Sequence, residues 1–71
     1  MVDEIKADHI YGQIKSKLQG QEGKIIAIET DTGDYFVGET VVTAYRKGHQ
    51  KYPAKEFFFK RIGHKGVYRV G

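Results

Sequence analysis

The chain has no cysteine and no tryptophan, and only one proline and one serine among its 71 residues. Without cysteine it can form neither a disulfide framework nor a thiolate metal site, so a single small hydrophobic core must supply its stability. Its longest apolar runs, IIAI and FFF, have four and three residues, whereas a helix that spans a bilayer needs about 20. The N-terminal stretch is acidic and has no apolar segment of the kind found in secretory signals. We therefore expect one cytoplasmic domain that comprises residues 1–71.

Residue patterns that carry catalysis or hold cofactors are also missing. Ser16 has none of the flanking glycines of a nucleophile elbow. His9, His49 and His64 do not have the spacing that metal sites use. The glycines do not form a phosphate-binding loop that leads into a helix. We expect no enzymatic activity, no metal and no cofactor.

The tripeptide Asp31-Thr32-Gly33 has to be weighed separately, because it is the active-site motif of aspartic peptidases. That chemistry requires two carboxylates that share a proton, which two subunits could in principle supply. Here, however, the motif follows polar sequence containing Glu29, and the next residue is Asp34 rather than a small apolar one. Asp and Gly are also the residues of a tight turn, because Asp bonds its own backbone and Gly accepts positive φ. We interpret the motif as a hairpin turn.

Hydrophobic periodicity predicts two helices and four strands, in the order α-β-β-α-β-β. Apolar side chains recur at helical spacing along residues 3–18, and a second helix is predicted at Val41–Lys51, with Thr40 as its N-cap and Pro53 at its end. β-Branched and aromatic residues predict strands within 24–30, 35–38, 56–62 and 67–70. Because a helix connects the second strand to the third, these two strands should run in the same direction. We expect an α+β fold with a four-stranded, mainly antiparallel sheet and two helices packed on one face.

Charge divides the chain into an acidic half and a basic half. Residues 1–40 contain four lysines and eight acids, whereas residues 41–71 contain eight basic side chains and one acid. The open face of the predicted sheet would present aromatic rings and cations together. The candidate interaction surface comprises Tyr35, Phe58, Lys60, Arg61, Tyr68 and Arg69.

Two functions are compatible with such a surface. An exposed aromatic patch favours contact with another protein or with a second copy of the chain, and the opposite charges of the two halves would let copies dock. Alternatively, nucleic-acid bases could stack on the rings while the cations meet phosphates. We expect a non-enzymatic module that binds a protein partner or itself through the open sheet face. Nucleic-acid binding by the basic half is the alternative, and no membrane contact is expected.

Residues 23–63 resemble a known type of small domain. The features that carry the resemblance are Gly23-Lys24 before an Ile/Ala strand, a turn with a short second strand, and Tyr52-Pro53 between helix and strand. In these features the chain is similar to short, uncharacterised prokaryotic α+β modules grouped as domains of unknown function. The resemblance implies a compact hairpin–helix–strand unit. It implies no activity, cofactor or functional residue.

Overall fold

A computed structural model of the protein describes residues 4–63 and shows an α+β fold. Helix α1, a β-hairpin, helix α2 and a third strand follow one another as the sequence predicts for this part of the chain, but the first predicted helix, over residues 3–18, ends as a 3-10 helix after Ile14. The predicted fourth strand, at residues 67–70, lies outside the described residues. The elements are α1 (Glu4–Ile14), the 3-10 helix (Lys15–Leu18), β1 (Ile25–Ile28), β2 (Tyr35–Gly38), α2 (Val41–Lys51) and β3 (Phe58–Arg61).

The three strands form an antiparallel sheet in the order β2-β1-β3. Ile26 of β1 lies opposite Val37 of β2 and Lys60 of β3, which sets the register on both sides. Since β2 and β3 are both antiparallel to β1, they run in the same direction, as the helical connection between them predicts. β1, the first strand of the hairpin, is therefore the central strand of the sheet. The chain passes from β2 to β3 through α2, across the face of β1.

Helix α1 covers one face of the sheet. Ile26 and Ile28 of β1 point to this face and are fully buried, because side chains alternate along a strand. They pack against Ala7 and Ile10 of α1, with Leu18 and Ile62 closing the cluster. The hydroxyl oxygen of Tyr11 accepts a hydrogen bond from Gly63 N at 3.1 Å, which ties α1 to the end of β3.

Helix α2 covers the opposite face. Ile25 and Ala27 of β1 point to this face and form a second buried cluster with Ala44 of α2 and with Phe57. α2 lies close to the sheet because two glycines, Gly38 and Gly48, are at the contact between them. A Cβ on Gly38 would be 2.5 Å from Ala44 N, and a Cβ on Gly48 would be 2.7 Å from the Phe57 ring.

The expectation that both helices pack on one face is therefore wrong. Each helix covers its own face, so the described sheet is the middle layer of three and has no open broad face. The physical reason lies in β1, where all four residues of IIAI are buried. A continuous apolar run, rather than an alternating one, is typical of a strand buried on both faces.

The predicted turn and the positive φ of Gly33 are confirmed at the β1–β2 hairpin, but the carboxylate that bonds the turn backbone is that of Glu29 and not of Asp31. Glu29, 2% exposed, accepts hydrogen bonds from Asp31 N at 3.0 Å, Thr32 N at 2.9 Å and the Thr32 hydroxyl at 2.8 Å. Gly33 has a φ of +85°, which glycine adopts without strain. Burial raises the pKa of Glu29, but the hydrogen bonds from Thr32 and Asp31 outweigh it, so the net pKa lies below the ordinary value.

Candidate interaction surface

The structure places the four described residues of the predicted site on two different faces of the sheet. Tyr35, Phe58 and Lys60 lie on the face that α1 covers, and Phe58 and Tyr35 pack against the core beneath that helix. Arg61 lies on the opposite face, because it is the next residue along β3. Tyr68 and Arg69 lie outside the described residues.

Lys60, a residue of the predicted interaction surface, makes its contacts within the chain. Its Nζ lies 3.0 Å from Asp8 Oδ1 of α1. The same ammonium lies 5.5 Å from the ring centre of Tyr11 and 5.7 Å from that of Phe58, which is within cation–π range. Lys60 thus joins α1 to the sheet.

Part of the opposite charge of the two halves of the sequence is neutralised by ion pairs within the chain. Three lysines of the basic half form ion pairs with acids of the acidic half: Lys51 with Asp34 at 3.2 Å, Lys55 with Asp31 at 2.7 Å, and Lys60 with Asp8 at 3.0 Å. Exposed pairs of this kind stabilise a fold only slightly. They do, however, satisfy charges that were expected to attract a second copy or a phosphate backbone.

These ion pairs shift the pKa values of four of the groups. The hydrogen bond and the charge of Lys55 lower the pKa of Asp31, and those of Asp31 raise the pKa of Lys55. Hydrogen bonds from Tyr52 and Lys51 lower the pKa of Asp34, while the carboxylate of Asp34 raises the pKa of Lys51. Both acids lie in the β1–β2 hairpin loop, so the cluster fastens this loop to the C-terminal end of α2 and to the segment that follows it.

Asp31, the aspartate of the peptidase-like tripeptide, is exposed and occupies the turn of the hairpin. It pairs with Lys55. Residues 4–63 contain no group of three His, Cys, Asp or Glu that could hold a metal ion.

The exposed apolar residues of α2 form a surface that sequence reasoning missed. Val41, Val42 and Tyr45 are 48%, 59% and 43% exposed. Spacings of three and four residues bring Val42, Tyr45 and His49 to one side of the helix. The rings of Tyr45 and His49 stack with centres 5.3 Å apart. We call the side formed by Val41, Val42, Tyr45 and His49 the α2 flank.

Packing explains why the α2 flank faces solvent. The buried side of α2 is formed by the small residues Ala44 and Gly48, so the helix approaches the sheet without using its larger apolar side chains. On one side of α2, Lys47 Nζ donates to Val37 O of the edge strand β2 at 2.7 Å. On the other side, Tyr45 meets the edge of the Phe57 ring with centres 6.1 Å apart. α2 therefore lies over β2 and β1, and the flank lies towards β3.

By helical spacing in the sequence, Val41, Ala44, Tyr45, Gly48 and Tyr52 fall on one side of the second helix, which is expected to face the sheet. Within α2 the structure buries only Ala44 and Gly48 in full. The signal that could have found the flank is Val42, an aliphatic residue outside the predicted buried stripe and adjacent to it on the helix.

Two cations, Arg46 and Arg61, lie on the same side of the molecule as the α2 flank and have no carboxylate partner within the described part of the chain. The side chain of Arg46 makes no hydrogen bond or ion pair with residues 4–63. Arg61 NH1 donates to a backbone carbonyl, Gly23 O, at 3.0 Å. The surface thus combines exposed apolar side chains with positive charge that is not neutralised.

Comparisons with known proteins found no matching family model, no matching curated protein and no matching solved structure. Between residues 4 and 63, neither helix combines the length and hydrophobicity needed to cross a bilayer.

Proposed function

We propose that this protein is a cytoplasmic, non-enzymatic interaction module that binds another protein through the α2 flank. The observation that supports the proposal is the exposure of Val41, Val42 and Tyr45 together on one side of a single helix. The flank takes the place of the open sheet face as the expected binding surface, because α1 covers that face.

The energetics favour a binding role for these side chains over a folding role. Each contributes little to the stability of the isolated domain while it remains in water. Burial against a partner would yield about 25 cal/mol for every Å² of apolar surface removed from solvent. Contiguous exposed apolar side chains with a charged border are typical of protein interaction sites. Tyr45 is also of a residue type enriched among those that dominate binding energy.

The same contacts count against nucleic-acid binding. Phe58, which was expected to stack on bases, packs in the core beneath α1. Lys51, Lys55 and Lys60 already pair with carboxylates of the same chain. Val41 and Val42 of the α2 flank provide no stacking platform for bases, and the Tyr45 ring already stacks on His49 and contacts the Phe57 ring.

Site-specific photo-cross-linking in the native host tests the proposal. Benzoylphenylalanine is placed at Val42 and, as a control, at Gln13, an exposed residue of α1 on the other side of the sheet. We expect a discrete protein adduct from position 42 that is absent from position 13. The adduct should disappear when Tyr45→Lys is combined with the probe.

Three results would contradict the proposal. The first is an identical adduct pattern at both positions, and the second is no adduct at either. The third is an adduct from position 42 that nuclease treatment removes, because it would support the nucleic-acid alternative. An adduct with twice the mass of the chain would identify a second copy as the partner.

A further inference from the structure

We infer that the partner presents to the α2 flank a short, acidic, amphipathic segment of polypeptide. This inference rests on the proposed function and adds the chemistry of the partner. It follows from the charge around the flank, the length of the flank and the consequence of placing a second copy there.

All ionised side chains of α2 itself are positive. The helix contains Arg46, Lys47 and Lys51 and has no acid. Lys51 is neutralised by Asp34, and Lys47 lies over β2 on the other side of the helix. Arg46, one turn after Val42, is not neutralised by a described carboxylate. Glu39, just before α2, is the carboxylate nearest to the flank in sequence, and it pairs with Lys24 at 3.5 Å. A partner that brings carboxylates to this border would compensate charge that the fold leaves uncompensated.

Arg61 extends the positive border beyond the helix. It is exposed and lies on the sheet face that α2 occupies, but on β3, which α2 does not cover. Phe59, two residues earlier on β3, points to the same face and is half-buried against the second cluster. A segment seated between Tyr45 and β3 would therefore contact apolar side chains in the middle and cations on both sides.

The length of the flank limits the size of the segment. Val41 and His49 are eight residues apart, so the flank is about 12 Å long at 1.5 Å per helical residue. About two turns of helix on the partner match this length. Apolar residues at spacings of three and four would contact the valines and Tyr45, and acids beside them would reach Arg46 and Arg61.

A second copy of this chain fits the flank poorly. In a twofold arrangement the same patch meets itself, so the positive border of one copy, with Arg46 and Arg61, would face the positive border of the other. Like charges in contact disfavour such a pair. Three apolar side chains per copy also cannot supply the roughly 800 Å² per partner that a stable interface buries.

Selection from a displayed library of random 16-residue peptides tests the inference on the full chain, with the selected peptide then titrated by NMR. We expect peptides enriched in Asp and Glu next to Leu, Ile or Phe at helical spacing. Their amide shift changes should concentrate in α2 and β3. Arg46→Glu should weaken binding by about three- to tenfold, because one ion pair becomes one repulsion. Val42→Ser should weaken binding about fivefold or more, as loss of a central apolar contact does.

Lys17→Glu is the matched control, since it makes the same kind of charge change on an exposed residue far from α2. It should leave the affinity for the selected peptide unchanged. Selected peptides that bind α2 but are basic or uncharged would overturn the acidic partner and leave the proposed function intact. Peptides that map to α1, or no enrichment at all, would overturn both.

A single-stranded 16-nucleotide DNA in the same titration completes the test. The inference would also be overturned if the DNA bound more tightly than the selected peptide and its affinity fell steeply with salt. The expected fall for phosphate contacts is about 0.7 log units in the binding constant per contact for each tenfold rise in salt. No shift changes in α2 or β3 at 50 mM salt would support it.

Discussion

The two faces of the sheet are covered by helices of the same length that use opposite means. On the α1 face, large aliphatic side chains such as Ile10, Ile26 and Ile28 fill the space between helix and sheet. On the α2 face, Gly38, Ala44 and Gly48 let the helix approach closely, and the larger apolar side chains of α2 remain outside. α1 therefore buries Ile10 against the sheet and leaves Ile5 exposed, whereas on α2 only the small residues Ala44 and Gly48 are buried and Val41, Val42 and Tyr45 remain partly in water.

Substitution of the glycines between α2 and the sheet is the strongest test of this difference in packing between the two faces. Gly38→Ala should destabilise the fold by about 3 kcal/mol, because the new methyl group would meet rigid backbone at 2.5 Å. Gly48→Ala should cost about 1–3 kcal/mol, since the Phe57 ring can move slightly. Chemical denaturation monitored by circular dichroism measures both values.

Gly12→Ala in α1 is the control for those variants. A Cβ there meets nothing within 4 Å, so the substitution should stabilise the helix by about 0.5–1 kcal/mol. If all three variants were equally stable, close glycine packing would not distinguish the two faces.

The next effect concerns Glu29 in the hairpin. Glu29→Ala removes the acceptor of three hydrogen bonds and leaves the amides of Asp31 and Thr32 unsatisfied, so the free energy of unfolding should fall by about 2–3 kcal/mol. Glu29→Gln keeps one carbonyl acceptor and should cost less. An unchanged stability of Glu29→Ala would show that the buried carboxylate does not hold the turn.

Acid should weaken the α2 side first. The folded-state pKa values of Glu29, Asp31 and Asp34 lie below their ordinary values of 4.5 and 3.8. These carboxylates therefore contribute stability that is present above the ordinary pKa and is lost as the pH falls through the lowered folded pKa. Hydrogen exchange between pH 5 and pH 3, corrected for intrinsic rates, should show protection falling in the hairpin and in α2 before α1. If α1 lost protection at a higher pH than the hairpin and α2, the α1 face would be the more acid-sensitive one and the prediction would be wrong.

At high pH the dependence has the opposite sign. The folded-state pKa values of Lys51 and Lys55 lie above their ordinary value of 10.5. Their contribution is complete below that value and is lost as the pH rises through the raised folded pKa. Denaturation curves should therefore show constant stability between about pH 5 and pH 10, and Lys55→Met should reduce the decline at both ends.

The smallest effect is expected for the α2 flank itself. Val42→Lys should change the free energy of unfolding by no more than about 0.5 kcal/mol, as exposed substitutions usually do. Ile10→Ala, in the cluster between α1 and the sheet, should lower the free energy of unfolding by about 2–5 kcal/mol because it leaves a cavity. A large loss of stability in Val42→Lys would mean that the flank serves folding rather than binding.

Local signals in the sequence were sufficient to locate the elements. Thr40 accepts a hydrogen bond from Thr43 N at 3.2 Å and caps α2 as predicted, and α2 ends at Lys51, before Pro53. The turn at Asp31-Thr32-Gly33 was likewise predicted from side-chain chemistry. Each of these features depends on groups within a few residues of one another, which is why the pattern along the chain indicates them.

The layer arrangement was missed although part of its signal was present. The run IIAI has no alternation, and this indicates burial on both faces. The spacing of Gly38, Ala44 and Gly48 indicates close contact only once α2 is known to follow β2 back across the sheet. The expectation of an open sheet face was wrong for the same reason, since Phe58 and Lys60 lie on a face that α1 occupies.

The sequence by itself determined the order and approximate positions of the helices, strands and hairpin turn of residues 4–63, because capping, turn chemistry and apolar periodicity act between near neighbours. Only the tertiary structure decided which face each helix covers, which lysines are neutralised and which apolar side chains remain in water. Those outcomes depend on contacts between distant parts of the chain, such as Asp8 with Lys60 and Asp31 with Lys55. Ion pairs and close packing of that kind exist only after the layers have assembled.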